Sequence, residues 1–172
     1  MSTRELRRLP AGRQPTLVSA FPNSFDGGNP MFWSEAENLY VLYYRIMTDS
    51  HQRTMARTTS SDLRQWSAPV PMAYGDAPAE QFYVNNTVPY FRAPQVYVAL
   101  AARFMEGRSG VTDEQAKPIG LKAPRGIIYN RDCSDGVLLT TRAGSGQYER
   151  TFPEALIRPG IGAGPWVPRT NS

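Results

Sequence analysis

The sequence predicts an all-β fold: a partial β-propeller of about two four-stranded blades plus the start of a third. Three observations carry this expectation. Aromatic residues make up 11% of the 172 residues, and aromatic side chains suit the flat, half-buried surface of a pleated strand. Fifteen prolines and fourteen glycines supply turns for many short elements. Most tellingly, the chain matches itself at a spacing of tens of residues, the mark of a repeated supersecondary unit.

The repeat places the elements. Asn29 is followed eleven residues later by Tyr40-Val41, then Arg45 and Met47; Asn86 is followed at the same offset by Tyr97-Val98, then Arg103 and Met105. Further on, Thr58-Thr59, Gln65, Trp66 and Pro71 align without a gap to Thr140-Thr141, Gln147, Tyr148 and Pro153. Each unit reads as four short strands separated by turns, the content of one propeller blade. The first blade spans about 26–75, with strands expected near 30–33, 39–46, 53–60 and 66–72. The second spans about 80–160, with strands near 87–91, 95–104, 136–141 and 148–152. Between its middle strands lies an insertion, about 106–135, whose Gly, Pro and charged residues suit a surface loop. Asp135-Gly136 closes it as a hairpin-turn pair. Residues 1–21 form an N-terminal arm or the end of a preceding strand, and the propeller domain covers 22–172. Asn171 falls where a third unit would place its counterpart of Asn29. Two blades and a fragment leave sheet edges unprotected, so the ring is expected to be completed by more chain or by further copies, and the chain alone reads as too short for a working enzyme.

Composition narrows the chemistry. The net charge of +4 comes from 19 basic residues interleaved with 15 acidic ones, and the one tight basic group, Arg4, Arg7 and Arg8, reads as a solvated arm; no nucleic-acid partner is expected. Cys133 is the single cysteine and His51 the single histidine. They exclude a disulfide framework and a Cys-rich zinc site, and no Gly-x-Ser-x-Gly elbow accompanies the histidine. No metal site and no cofactor are expected. The apolar run around Leu17–Phe21 is too short for a secretory leader or a membrane span, so the expected location is cytoplasmic unless the true start lies upstream. Oligomeric state stays open.

The stretch Ser60-Ser61-Asp62-Leu63-Arg64-Gln65-Trp66 resembles the Ser-x-Asp-Leu-x-x-Trp turn of arabinanase-, invertase- and levansucrase-like five-bladed propellers. The resemblance extends through Phe25-Asp26-Gly27-Gly28-Asn29 with Phe32-Trp33, through the segments 80–85 and 89–94, and through Ser134-Asp135-Gly136 with the segments 150–155 and 157–160. It covers most of the chain from about residue 22 and points to an uncharacterised bacterial group. What it implies is a glycoside hydrolase-like protein that cleaves or binds an oligo- or polysaccharide in a central funnel lined by the first strand of each blade.

Glycosidic cleavage requires two carboxyl groups flanking the scissile bond, one to protonate the leaving oxygen and one to attack or to activate water. Asp26 matches the place of the nucleophile or base in the resembled families, and the same residue fits an Asx-turn with Gly27-Gly28. Glu80 is a second funnel carboxylate or a solvated loop residue. Glu154 is a candidate acid or half of a surface pair with Arg158. Asn85, Asn86, Arg92 and Tyr90 are candidate hydroxyl-binding and stacking groups, with the recurrence of Asn86 at Asn29 also fitting blade architecture. Asp62 and Trp66 belong to an outer turn. The alternative is a carbohydrate-binding propeller that never assembles the carboxylate pair, or a fragment without function.

Overall fold

A computed structural model of the chain describes residues 24–108, 114, 117–118 and 132–158. The eight elements it describes are all β-strands: β1 Met31–Ser34, β2 Leu39–Met47, β3 Arg53–Ser60, β4 Val70–Pro71, β5 Gln81–Asn85, β6 Val88–Tyr90, β7 Ala93–Met105 and β8 Cys133–Arg142. They form two four-stranded antiparallel sheets, as the repeat predicts. The first runs in order β1-β2-β3-β4; in the second, β5 and β6 share one edge of β7 and β8 takes the other.

Each sheet forms where the local chemistry allows it. In β2, alternate side chains go to opposite faces, and both faces are apolar. Val41 and Tyr43 join the core between the sheets, while Leu42, Tyr44 and Ile46 join a second cluster with Ala56, against which Phe25 and Trp66 pack. The turn after β3 is locked by its own side chains. Asp62 accepts from the backbone N–H groups of Arg64 and Gln65 at 2.8 and 2.9 Å, and these bonds hold its carboxyl below the ordinary aspartate value. That turn delivers Trp66 to the second cluster.

The core between the sheets is a run of aromatic rings. Phe32 meets Tyr97 edge-on at 5.1 Å, and Tyr74 stacks with both Phe82 at 4.9 Å and Tyr148 at 5.8 Å. From the second sheet, Tyr97, Ala99 and Ala101 of β7 and Val137 and Leu139 of β8 complete it. The outer edges also join: Tyr148 N–H donates to the Ala73 carbonyl and Ala73 N–H to the Gly146 carbonyl, each at 2.8 Å.

Three expectations change. A strand not foreseen, β5, precedes the expected inner strand, and the two together span the edge of β7, interrupted where Asn85 turns its side chain back onto Thr87. The expected strand at 148–152 reduces to a bridge between Thr140 and Glu149, because the Arg150 side chain donates to the Phe152 and Pro153 carbonyls and draws that segment away from the ladder. Asp135-Gly136 is no hairpin turn but lies within β8, with Asp135 directly across from Arg103. Gly136 is required there for closeness: a Cβ would sit 3.1 Å from that of Ile157. The rest of the expected insertion, the N-terminal arm and Asn171 fall largely or wholly outside the described residues.

A polar knot ties the two sheets at the β1–β2 hairpin. The Tyr97 hydroxyl lies 2.5 Å from both Ser34 Oγ and Glu37 Oε1, and Arg57 of β3 donates to the other Glu37 oxygen. Burial pushes the Glu37 carboxyl up, but the Tyr97 hydroxyl, Arg57 and the Gly144 N–H outweigh it and hold it below the ordinary value of 4.5. A carboxyl depressed on folding contributes stability that is present above pH 4.5 and lost as pH falls through the lower folded value. Melting temperatures measured on the acid side of pH 4.5 are therefore expected to fall more steeply in the natural chain than in Glu37→Gln, which has no carboxyl to protonate there.

Candidate functional site

The site begins with the loop before β1. Asn29 Nδ2 donates to the carbonyls of Phe25 and Gly27, each at 3.0 Å, and so folds the segment 25–29 on itself. The two glycines let this loop lie against β5. Gly27 has φ +89°, and a Cβ there would stand 3.0 Å from the Tyr83 carbonyl oxygen; a Cβ on Gly28 would stand 3.1 Å from that of Asn85. Only residues without side chains permit that approach in that conformation.

Asp26 projects from this loop. One carboxylate oxygen accepts from Arg45 at 2.9 Å and from the Tyr83 hydroxyl at 3.3 Å, while Arg45 Nε donates to the Asp26 backbone carbonyl at 3.0 Å. The arginine is 4% exposed and the aspartate 60%. A buried guanidinium thus fixes an open carboxylate. Beside it, Tyr83 lies near two guanidinium groups, Arg45 at 5.6 Å and Arg53 at 5.8 Å from its ring centre, within the range of cation–π attraction. Arg53 also covers Phe104 at 4.5 Å and donates to Gln81 Oε1 at 2.8 Å.

Glu80 is placed differently. Gln81 and Tyr83 reach Arg53 and Asp26, whereas Glu80 and Phe82 meet Arg150. The alternation of β5 therefore turns the two carboxylates to different sides. Glu80 is 17% exposed and held by both Arg103 and Arg150 at 2.5 Å. Arg103 also grips both oxygens of Asp135, at 2.9 and 2.6 Å, and the two carboxylates raise its pKa further above the ordinary arginine value despite its burial. Glu154 pairs with Arg158 one helical-turn spacing away in sequence, both more than half exposed. Asp26, Glu80 and Glu154 are thus held by different arginines.

The candidate binding residues separate as well. Asn85 is fully buried, with Nδ2 donating to the Tyr148 hydroxyl at 2.8 Å and Oδ1 accepting the Thr87 N–H at 2.7 Å, so its amide is spent on the core. Asn86 is exposed, its Oδ1 near Gly28, and it stays beside the Asp26 loop. Tyr90 and Arg92 sit at the β6–β7 hairpin, where Tyr90 pairs with Ala93, while Asn85 pairs with Ala101. Eight residues of strand at about 3.3 Å each put that hairpin roughly 25 Å along β7 from the Asp26 end. There Tyr90 and Arg92 each meet the exposed Phe91 ring.

What the sequence reading missed is Tyr83, which touches Asp26, and Arg53 and Gln81 on the far side of Tyr83. The available signal was the recurrence of Arg45 at Arg103: each holds the carboxylate upstream of its own sheet's inner strand, Asp26 in one case and Glu80 in the other. Among the described residues no cluster of His, Cys, Asp or Glu has the makings of a metal site, and no helix is long and apolar enough to cross a membrane.

The chain matches no family profile and no curated protein. Among solved structures it is similar to an N-acetylgalactosamine deacetylase from F. plautii, determined in complex with blood group B trisaccharide, with a TM-score of 0.52 at 14% identity. The match covers 79% of this chain and 32% of that one. The chain spans about a third of that enzyme's length, and the likeness is one of fold.

Proposed function

We propose that this chain is part of a carbohydrate-acting propeller in which the Asp26 loop recognises a sugar. The observation that carries this reading is the open Asp26 carboxylate on its buried arginine. A charge fixed in that way presents an acceptor at constant geometry to hydroxyl groups, and Asn86 and the half-exposed Tyr83 add an amide and an aromatic edge alongside. Sugars are bound by such sets of fixed polar groups with an aromatic surface. The carbohydrate-processing neighbour and the resemblance to sugar-cleaving propellers support the same class of ligand.

Cleavage of an O-glycosyl bond is the finer reading, with Asp26 as nucleophile or base. It requires a second carboxyl group about 5 to 10 Å away across the bond. Both Glu80 oxygens are already taken by arginines, which favours recognition over hydrolysis for the described residues.

Asp26→Asn tests both. The asparagine keeps an acceptor for Arg45 but removes the counter-charge of a guanidinium that is 4% exposed, so the variant is expected to lose about 1–3 kcal/mol of stability and is titrated below its melting temperature. Its affinity for arabinan or fructan oligosaccharides, titrated calorimetrically, is expected to drop about tenfold or more, in line with the loss of a charge-assisted hydrogen bond. Equal affinity in the two proteins would refute the recognition site. Release of reducing ends by the natural chain but not by the variant would establish hydrolysis.

A further inference from the structure

We infer that the Asp26 site takes an acidic sugar, a uronate whose carboxylate pairs with Arg53. This rests on the proposed role of Asp26 and names the substrate class of the same site. Arg45, Arg57, Arg103 and Arg150 each pair with a carboxylate. Arg53 is half-buried beside them, yet among the described residues no carboxylate pairs with it. Its side-chain partners among the described residues are neutral: the Gln81 carbonyl oxygen and the faces of Phe104 and Tyr83. Glu106 approaches only the other end of Gln81, at 3.4 Å. Arg53 Nε is buried with no hydrogen-bond partner. Withdrawing a cation from water without a counter-charge is costly, and a guanidinium donates most strongly to a carboxylate.

The position supplies the link to the sugar. Tyr83 touches both groups, its hydroxyl on Asp26 and its ring beneath Arg53. One sugar residue lying along Tyr83 would offer hydroxyls to Asp26 and a ring carboxylate to Arg53. Arg45 already balances the Asp26 charge, so the two acids need not repel.

The test titrates the full chain with three trisaccharides: galacturonate, its methyl ester, and the neutral galactose counterpart. The galacturonate is expected to bind about tenfold or more tightly than the other two, with an advantage that shrinks at high salt. Arg53→Gln is expected to erase that preference, and the methyl ester makes the same comparison with the protein unaltered. Equal or tighter binding of the neutral sugar overturns the acidic preference and leaves sugar recognition standing. Binding of none of the three, or of arabinan and fructan oligosaccharides, overturns both.

Discussion

Arg103→Ala is expected to cost about 3–5 kcal/mol of unfolding free energy, the usual penalty for removing one partner from a buried ion pair. Arg103 is the only residue among those described that joins Glu80 to Asp135, and it donates to the Pro153 carbonyl at 3.2 Å as well. Its removal strands Asp135, 7% exposed, with no other cation against it among the described residues. It also leaves Glu80 to Arg150 alone. Urea unfolding followed by tryptophan fluorescence reads this directly. Arg150→Ala is the informative comparison, since Glu80 keeps Arg103 and the expected loss is smaller. A midpoint for Arg103→Ala within the error of the natural chain would show that the node carries no net stability.

Asn85→Ala is expected to cost about 3 kcal/mol through unpaired buried polar groups and a small cavity. The substitution deprives the Thr87 N–H of its acceptor and the Tyr148 hydroxyl of its donor in a region sealed from solvent. Thr87 Oγ1 also lies 2.5 Å from the Tyr148 hydroxyl, so the three side chains act as one bonded group. The loss is expected in thermal unfolding, with sugar affinity of the folded fraction unchanged. A variant that melts normally yet loses affinity would return Asn85 to the binding surface.

Asn85 and Asn86 show how far adjacent, identical residues can diverge. In the amino-acid order both are candidate hydroxyl-binding groups, and it is Asn86, through its counterpart Asn29, that also fits blade architecture. The break between β5 and β6 turns one inward onto Tyr148, 63 residues away, and leaves the other outside. No local pattern assigns Asn85 to the core, because the partner that claims it arrives from the far end of the second unit.

Strand positions in the first blade were legible for the opposite reason. Alternation in Leu39–Met47, the turn chemistry of Ser60 to Trp66 and the eleven-residue offset are all satisfied within a few residues of themselves. Where a strand depends on distant contacts, legibility fails: no local pattern marks β5, and the turn chemistry of Asp135-Gly136 is overruled by a cross-strand arginine.

The acidic residues divide along the same line. Backbone stereochemistry and side-chain alternation act over neighbouring residues, so the amino-acid order settled an all-β chain of repeated four-stranded sheets and a glycine-rich loop carrying Asp26. Charge compensation acts through space. Asp26 meets its arginine 19 residues on, while Glu80 meets one 23 and another 70 residues on. Only the packed sheets decided that Glu80 is closed off by two guanidinium groups, that Asp26 stays open on one, and that Arg53 stands nearby with no carboxylate among the described residues.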